Sequence, residues 1–246
     1  MVKAGKICII GFKCRQAKTF VRAVLSLKTR YSLAHLYPIY WDDVQTIGKN
    51  QVSIRQLNRF SQEFIKIETN FKQTMPQNSE VIKIERIQNP MIWGLFNAEL
   101  KHIQLKHGSK DAANVRYLFH GTRSTPPAAI YESEQGFNTQ YARAGVWGRA
   151  NYFARNASYS HDYKYTLPDG TFQMLSAMVI IGNTIKMSSD PTLIEAPFIE
   201  GSTQIRYDSV QGFIGGSNVF MVYSNVKAYP EYLITYKLIA GGAGAK

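Results

Sequence analysis

One stretch, Tyr117 to Tyr165, constrains the fold of this chain more than any other. It predicts a strand over Tyr117–Phe119 that ends in His-Gly-Thr, then a short helix from about Pro127 to Gln135 and a loop containing glycine and arginine. An aromatic run at residues 151–154 follows the loop. This order brings an imidazole, a flexible glycine backbone and several rings to one concavity, where small-molecule sites usually lie.

The residues on either side predict a mixed α+β fold, with helices first and mostly antiparallel strands afterwards. An amphipathic helix is expected over Ser53–Met75, and Ser61 is the point at which it would break. The other expected elements are a strand at Glu80–Gln88, a helix from Pro90 to His107 closed by Gly108, and strands at Phe172–Ile181, Arg206–Val210, Val219–Ser224 and Tyr232–Leu238.

Composition limits the classes of protein that fit. The chain has 246 residues with 45% hydrophobic content, which is typical of a folded globular protein. No apolar run approaches the roughly 18 residues that a membrane helix needs, so no membrane span is expected. Cys8 and Cys14 are the two cysteines, which favours a reduced compartment. We therefore expect an intracellular protein, cytoplasmic or nuclear.

The charge is concentrated at the N-terminus. The formal net charge is +12, and eight lysines or arginines but no acid precede Asp42. This pattern is typical of a contact with nucleic acid or anionic membrane, of an organelle presequence, or of a solvated basic extension. We divide the chain into a basic extension at 1–33, a folded domain at 34–240 and a flexible tail at 241–246.

Several common site motifs are missing from the sequence. It contains no G-x-x-x-x-G-K-[ST], no G-x-G-x-x-G, no H-E-x-x-H and no C-x-x-C, which argues against phosphate-loop, doubly wound dinucleotide and common metal sites. The five histidines are not spaced as a ligand set. No metal is expected.

Five segments carry a resemblance to a known family. The chain resembles the catalytic domain of the poly(ADP-ribose) polymerase-like ADP-ribosyltransferases in LFHGT at 118–122, GF at 136–137, WGRANYFA at 147–154, YDSV at 207–210 and AYPEYLITY at 228–236. KIERIQNPMIW at 83–93 is similar to the mono-ADP-ribosylating members that carry macrodomains. The likeness covers about Trp41 to Leu238.

The resemblance implies a fold and a set of cofactor contacts. The fold is a pair of small, mostly antiparallel twisted sheets that form a cleft for NAD as co-substrate. His120 would bond the 2′-OH of the adenosine ribose, and Gly121 would hold the nicotinamide carboxamide through its backbone. Tyr152 would pack against the nicotinamide, and Ser160 would bind the carboxamide.

A second tyrosine is implied on the other face of the nicotinamide ring. Tyr165 matches the macrodomain-bearing branch and Tyr163 the polymerising branch, and we prefer Tyr165 because the surrounding residues resemble the former. Thr122 completes the His-Gly-Thr motif and is expected among the cofactor-binding residues. The arginines proposed for the pyrophosphate are Arg123, Arg143 and Arg149. Ala150 stands where the family usually has glycine, so a positive φ there would be strained.

The third catalytic position, after His120 and Tyr152, is Val219. The polymerising members have a glutamate there, which orients the nicotinamide ribose and activates the hydroxyl of an incoming ADP-ribose. Valine has no hydrogen-bonding group and can do neither. The resemblance thus implies transfer of one ADP-ribose from NAD to an acceptor, expected to be a protein side chain. The alternative is a catalytically silent module that binds NAD, ADP-ribose or nucleic acid.

Overall fold

The computed structural model describes residues 37–42 and 52–239. The chain forms two compact units, Met1–Gly48 and Lys49–Lys246. In the first unit, the rings of Tyr37 and Trp41 are stacked with centroids 5.4 Å apart. The whole basic extension at 1–33 and the whole C-terminal tail at 241–246 lie outside the described residues, so the predictions about them stay predictions.

The second unit is built on one sheet of ten strands. The strands are β1 (Ser53–Gln56), β2 (Ser79–Gln88), β3 (Val115–His120), β4 (Asn151–Ala154), β5 (Tyr165–Thr166), β6 (Phe172–Ile180), β7 (Thr184–Lys186), β8 (Ser209–Ile214), β9 (Ser217–Val222) and β10 (Ala228–Leu238). Their order is β1-β2-β10-β6-β3-β4-β9-β8-β7, and β5 pairs with β6. Among these strands only β7 and β8 pair in parallel.

The sheet is weakly joined at its middle. Strand β3 pairs with β4 at a single position, Phe119 opposite Ala154. On one side lie β1, β2, β10, β6 and β3, and on the other lie β4, β9, β8 and β7. The α+β fold is therefore confirmed, and the two small sheets expected from the sequence are the two halves of one sheet that share this single pair.

Four α-helices flank the sheet in the described residues. They are α1 (Gln62–Lys72), α2 (Pro90–His107), α3 (Ala128–Tyr131) and α4 (Ala157–His161), accompanied by 3₁₀ turns at Asp111–Ala113 and Asn225–Lys227. Within the described ranges, none of these helices combines the length and the apolar character that a membrane crossing requires.

Helix α2 begins and ends where the sequence predicts. Asn89 caps its N-terminus by accepting bonds from the backbone N–H groups of Met91 and Ile92 at 3.0 and 3.1 Å. Pro90 occupies the first turn, where a missing N–H costs nothing. Gly108 ends the helix with φ of 70°, a left-handed conformation that glycine adopts without strain.

The single helix predicted over Ser53–Met75 is wrong in its first part. Ser53–Gln56 is strand β1 and pairs with β2, and the helix begins only after Ser61, whose side chain accepts from the N–H of Phe64. Asn58 accepts from the backbone N–H of Phe60, which makes a turn between the two elements. Phe60, which lies in the middle of the predicted helix, is 89% exposed in this turn.

Several other predicted elements have different bounds, among them a helix and a strand near the candidate site. The helix expected from Pro127 to Gln135 stops at Tyr131. A tight turn follows it, in which the hydroxyl of Ser133 accepts a hydrogen bond from the N–H of Gly136, and Gly136 has φ of 71°. The strand expected at Arg206–Val210 starts only at Ser209.

The packing of α1 fixes the strand that leads into the candidate site. Its buried side chains are Phe64, Ile67 and Phe71. The Phe71 ring lies 4.9 Å from that of Tyr236 and 6.2 Å from that of Phe119, centroid to centroid. Because Phe119 directly precedes His120, this core cluster holds the end of β3 in place.

Candidate active site

A cavity opens where β3 and β4 diverge. Its volume is about 1140 Å³, slightly above the roughly 300–1,000 Å³ of typical small-molecule sites, so a long ligand fits. The predicted site residues that line it are His120, Gly121, Thr122, Arg123, Tyr152, Ser160, Tyr163 and Val219. With Arg143, the structure thus brings nine of the eleven predicted residues to one cavity; Tyr165 and Arg149 are the exceptions.

His120 is held as a neutral imidazole. Its Nδ1 lies 2.8 Å from the carbonyl oxygen of Tyr152, a distance at which Nδ1–H donates to the carbonyl. The rings of Phe137 and Phe153 lie 5.1 and 5.4 Å from the imidazole, centroid to centroid. Burial lowers the pKa of His120, and the bond to Tyr152 offsets this only in part. Nε2 is left as a hydrogen-bond acceptor.

Tyr152 is fixed at its hydroxyl. It accepts from the N–H of Trp147 at 2.9 Å and donates to the carbonyl of Gly148 at 2.8 Å, and burial raises its pKa. The ring lies against Gly145, where an added Cβ would lie 2.8 Å from its atoms. The loop from 145 to 148 therefore holds the phenol in one orientation, with the ring as a wall of the cavity.

Gly121 lies where two backbones nearly touch. A Cβ at this position would collide with the carbonyl oxygen of Tyr163 and lie 2.5 Å from that of Ser160. Only glycine fits at this position, because the two backbone segments approach so closely that they leave no room for a side chain. Ser160, at 3% exposure, ends up beside the backbone of Gly121 at the edge of the cavity.

Of the two candidate tyrosines, Tyr163 lines the cavity and Tyr165 does not, so the lining favours Tyr163 over the preferred Tyr165, and the choice between them stays a prediction. Tyr165 opens β5 and pairs with Gln173, which draws it into the sheet and away from the lining. Tyr163 accepts at its carbonyl oxygen from the N–H of Arg123 at 2.7 Å, and the Arg123 guanidinium lies 4.4 Å from the Tyr163 ring centroid. Arg123 has φ of 54°, a conformation rare outside glycine.

Val219 supplies an alkyl group to the cavity. It is 0% exposed and lies on β9 opposite Ala154 of β4. Its position in the register is fixed by pairing on both sides, because Gly212 of β8 lies opposite it as well. The cavity wall here carries no group that can accept or donate a proton.

The segment before β4 contains the two remaining arginines of the predicted pyrophosphate site and Ala150. Arg143 lines the cavity, whereas Arg149 lies outside the lining. Ala150 is buried and is not among the residues with positive φ, so the strain considered for it is not observed.

Comparison with known proteins identifies the family. The family model of the poly(ADP-ribose) polymerase catalytic domain matches residues 61–211, more than half of the chain. The chain belongs to this family.

Three named proteins illustrate the sequence similarity of this PARP-type domain to its relatives. A probable poly(ADP-ribose) polymerase of Dictyostelium discoideum is 37% identical over 209 residues, covering 82% of this chain and 58% of the relative. The protein mono-ADP-ribosyltransferase PARP12 of Mus musculus is 31% identical over 81% of this chain and 27% of its own length. Human PARP14 is 30% identical over 81% of this chain and 11% of its own length. The chain thus spans only part of each.

Two buried polar atoms in the cavity of this PARP-type domain have no hydrogen-bond partner in the described part of the chain. They are Oγ1 of Thr122 and Nδ2 of Asn151. Sequence reasoning missed Asn151, although the signal was present: it is an amide side chain in a strand whose other members are aromatic or small.

A second polar cluster lies at the far end of α2 and is fully paired. The Asp208 carboxylate lies 2.7 Å from Lys106 Nζ, 2.7 Å from His107 Nε2 and 2.8 Å from the N–H of Asn183. Lys227 donates to the Asp208 carbonyl at 3.1 Å. Burial would raise the pKa of Asp208, but the bonds from Lys106 and Asn183 outweigh it and bring the pKa to about 2.

Proposed function

We propose that this chain is an NAD-dependent mono-ADP-ribosyltransferase that transfers a single ADP-ribose to a protein side chain. The observation that carries the proposal is the meeting of His120, Tyr152 and Val219 in one cavity. The names of the PARP12 and PARP14 relatives support both the reaction and the class of acceptor.

His120 would bind the adenosine ribose. Its Nδ1–H is engaged by the Tyr152 carbonyl, so Nε2 carries the free lone pair. A neutral imidazole of this tautomer accepts a hydrogen bond from a ribose hydroxyl at Nε2, and the lowered pKa keeps it neutral near pH 7.

The nicotinamide would bind at the opposite end, beside Gly121. The bare backbone of this residue lets a carboxamide approach, and Ser160 lies next to it. The rings of Tyr152 and Tyr163 both line the cavity and are available for stacking on the pyridinium.

Transfer breaks the N-glycosidic bond of NAD. The bonding electron pair goes to the ring nitrogen and neutralises the pyridinium, while the acceptor oxygen or nitrogen bonds to the ribose carbon and releases a proton. Since nicotinamide leaves easily, holding both ends of the dinucleotide in one orientation supplies much of the catalysis.

Val219 limits the product to one unit. Chain growth needs a carboxylate that activates a ribose hydroxyl of an ADP-ribose already attached, and an alkyl group cannot take that proton. This prediction separates the chain from the function named for its Dictyostelium relative, which is called a probable polymerase.

Incubation with radiolabelled NAD and a mixture of acceptor proteins tests the proposal. We expect label on protein as single ADP-ribose units, at least about a hundredfold reduced in His120→Ala because the cofactor loses its alignment. His102→Ala, an exposed histidine on α2 outside the cavity, is the control and keeps wild-type transfer. Equal labelling by wild type and His120→Ala would refute the proposal, and ladders of polymer would refute the role of Val219.

A further inference from the structure

Strands β4, β9 and β8 have a second face, on the side of the sheet away from Val219. Side chains alternate along a strand, and paired residues on neighbouring strands share a face. On this face Asn218 lies opposite Phe213, and its Oδ1 accepts from Gln211 Nε2 at 2.9 Å. The Asn218 carbonyl accepts from the N–H of Arg155 at 2.9 Å, which continues the ladder just past the end of β4. These four side chains therefore stand on one surface.

Two further cations reach this surface from the neighbouring strands. Lys186 on β7 pairs with Gln211. Arg116 on β3 holds its guanidinium 5.1 Å from the ring centroid of Phe220, and Phe220 is itself paired with Gln211. We call this surface the basic face; it consists of Arg116, Arg155, Lys186, Gln211, Phe213 and Asn218.

The positive charge of the basic face is not balanced by acids. Arg116, Arg155 and Lys186 are exposed, and none of them is ion-paired within the described ranges. The described side chains that alternate onto this face of β4, β9, β8 and β7 include no carboxylate. The exposed Lys237, by contrast, pairs with Glu80 at 3.1 Å. The basic face should therefore attract an anionic partner.

Phe213 adds an aromatic ring to these charges. The ring is 70% exposed. Neighbouring strands are about 5 Å apart and residues rise about 3.3 Å along a strand, so the backbones of Arg155 and Lys186 lie within about 10 Å of Phe213. A ring that stacks on bases, surrounded by cations that contact phosphates, is how proteins bind single-stranded nucleic acid without sequence preference. An acidic peptide would need a recessed pocket for its anchor side chain, whereas Phe213 projects from a sheet.

We propose that the basic face binds single-stranded nucleic acid, with a base stacked on Phe213 and phosphates at Arg116, Arg155 and Lys186. None of these four residues lines the NAD cavity. The site therefore lies on the opposite face of the strands that carry Val219, and a polynucleotide bound there leaves the cavity open. This inference goes beyond the proposed function and does not depend on it.

Fluorescence anisotropy of the full chain with a labelled thymidine strand of about 12 nucleotides tests the stacking. Phe213→Ala should bind this strand about tenfold more weakly, the effect of losing one stacked base. With a duplex of the same length the variant should bind as the wild type does, because the bases of a duplex are already stacked on each other. Phe60→Ala, which removes another exposed ring, is the control and should keep wild-type affinity. The melting temperature of Phe213→Ala should also stay at the wild-type value.

Salt titration of Arg155→Gln and Lys186→Gln tests the phosphate contacts. Each variant should reduce the slope of log affinity against log salt by about 0.7, because one fewer phosphate is neutralised. Lys66→Gln is the control: Lys66 Nζ lies 5.8 Å from the Tyr117 ring centroid, on the opposite face of β3 from Arg116, and the slope should not change.

Three outcomes would overturn the proposal. The first is absence of binding to the single strand by the wild type. The second is wild-type affinity in Phe213→Ala or an unchanged salt slope in Arg155→Gln and Lys186→Gln, since binding would then come from another surface, such as the basic extension. The third is an equal loss of affinity for polyglutamate in Phe213→Ala, which would assign the basic face to an acidic protein.

Discussion

Polar side chains are buried both at the cavity between β3 and β4 and in the Asp208 cluster at the end of α2. The two regions differ in whether the buried polar atoms have hydrogen-bond partners. In the cluster, Asp208 is 2% exposed at its side chain and is bonded by Lys106, His107 and the backbone of Asn183. At the cavity, Thr122 Oγ1 and Asn151 Nδ2 have no hydrogen-bond partner among the residues that the structure describes.

Complete hydrogen bonding of a buried group contributes to the stability of the fold, whereas incomplete hydrogen bonding leaves capacity for binding a ligand. A buried group whose bonds are complete holds neighbouring elements together, and here Asp208 ties α2 to the chain before β8. A buried group whose bonds are incomplete weakens the free protein and strengthens its complex with a fitting ligand. Variants on the two sides should therefore move different observables.

The largest effect is expected from Asp208→Asn in the paired cluster. It leaves Lys227 and Lys106 without their shared carboxylate, so the free energy of unfolding should fall by about 3 kcal/mol in urea titration. Affinity for ADP-ribose should stay at the wild-type value, because Asp208 does not line the cavity. The exposed Asp169→Asn is the control and should leave the free energy of unfolding close to the wild-type value. A loss of ligand binding at wild-type stability would break the comparison.

The next effect is expected from Gly121→Ala in the cavity. Its methyl group would meet the Tyr163 carbonyl, and the shift of either chain should reduce nicotinamide affinity about a hundredfold in calorimetry. Gly94→Ala on α2, whose Cβ would have nothing within 4 Å, should instead raise stability by up to about 1 kcal/mol. Unchanged nicotinamide binding in Gly121→Ala would show that the close approach does not shape the site.

A smaller effect distinguishes the two tyrosines. Loss of a stacked ring costs about 1–3 kcal/mol, so Tyr163→Ala should bind nicotinamide roughly tenfold more weakly, and Tyr165→Ala should bind it as the wild type does. Fluorescence or calorimetric titration of both variants checks this. The reverse outcome would restore the assignment made from the sequence.

The smallest effect concerns pH. Since the folded pKa of His120 lies below its ordinary value of 6.5, its neutral form prevails above pH 6.5 and is lost as the pH falls through the folded pKa. Affinity for ADP-ribose should thus change by less than about twofold between pH 8 and 6.5 and decline at lower pH. His120→Gln, which accepts a bond but does not titrate, should flatten the decline. A decline that begins above pH 7 in the wild type would contradict the buried, neutral imidazole.

The sequence predicted the elements whose signals are local. Helix α2 has its cap, its proline and its closing glycine in adjacent residues, and the motif at 118–122 brought His120 and Gly121 to the site through the resemblance. Strand β1 was missed because its apolar residues fit a helical spacing, and only pairing with β2 decides its conformation.

Two further outcomes depended on contacts distant in sequence. Tyr165 was preferred over Tyr163 because its neighbouring residues resemble one branch of the family. Its pairing with Gln173 on β6, however, places it outside the lining of the cavity. That Asn151 Nδ2 has no partner within the described ranges depends on where β3 leaves β4, a detail that no local pattern encodes.

The lone backbone pair between Phe119 and Ala154 gives the sheet a seam. On either side of this pair, each half of the sheet is held by its own backbone hydrogen bonds. Past the end of β3, the edges of β3 and β4 are unpaired with each other and present backbone groups and side chains to the cavity. A dinucleotide bound in the cavity would bridge β3 and β4. Its binding should therefore slow amide hydrogen exchange in both strands together and leave exchange in the outer strands of the sheet unchanged.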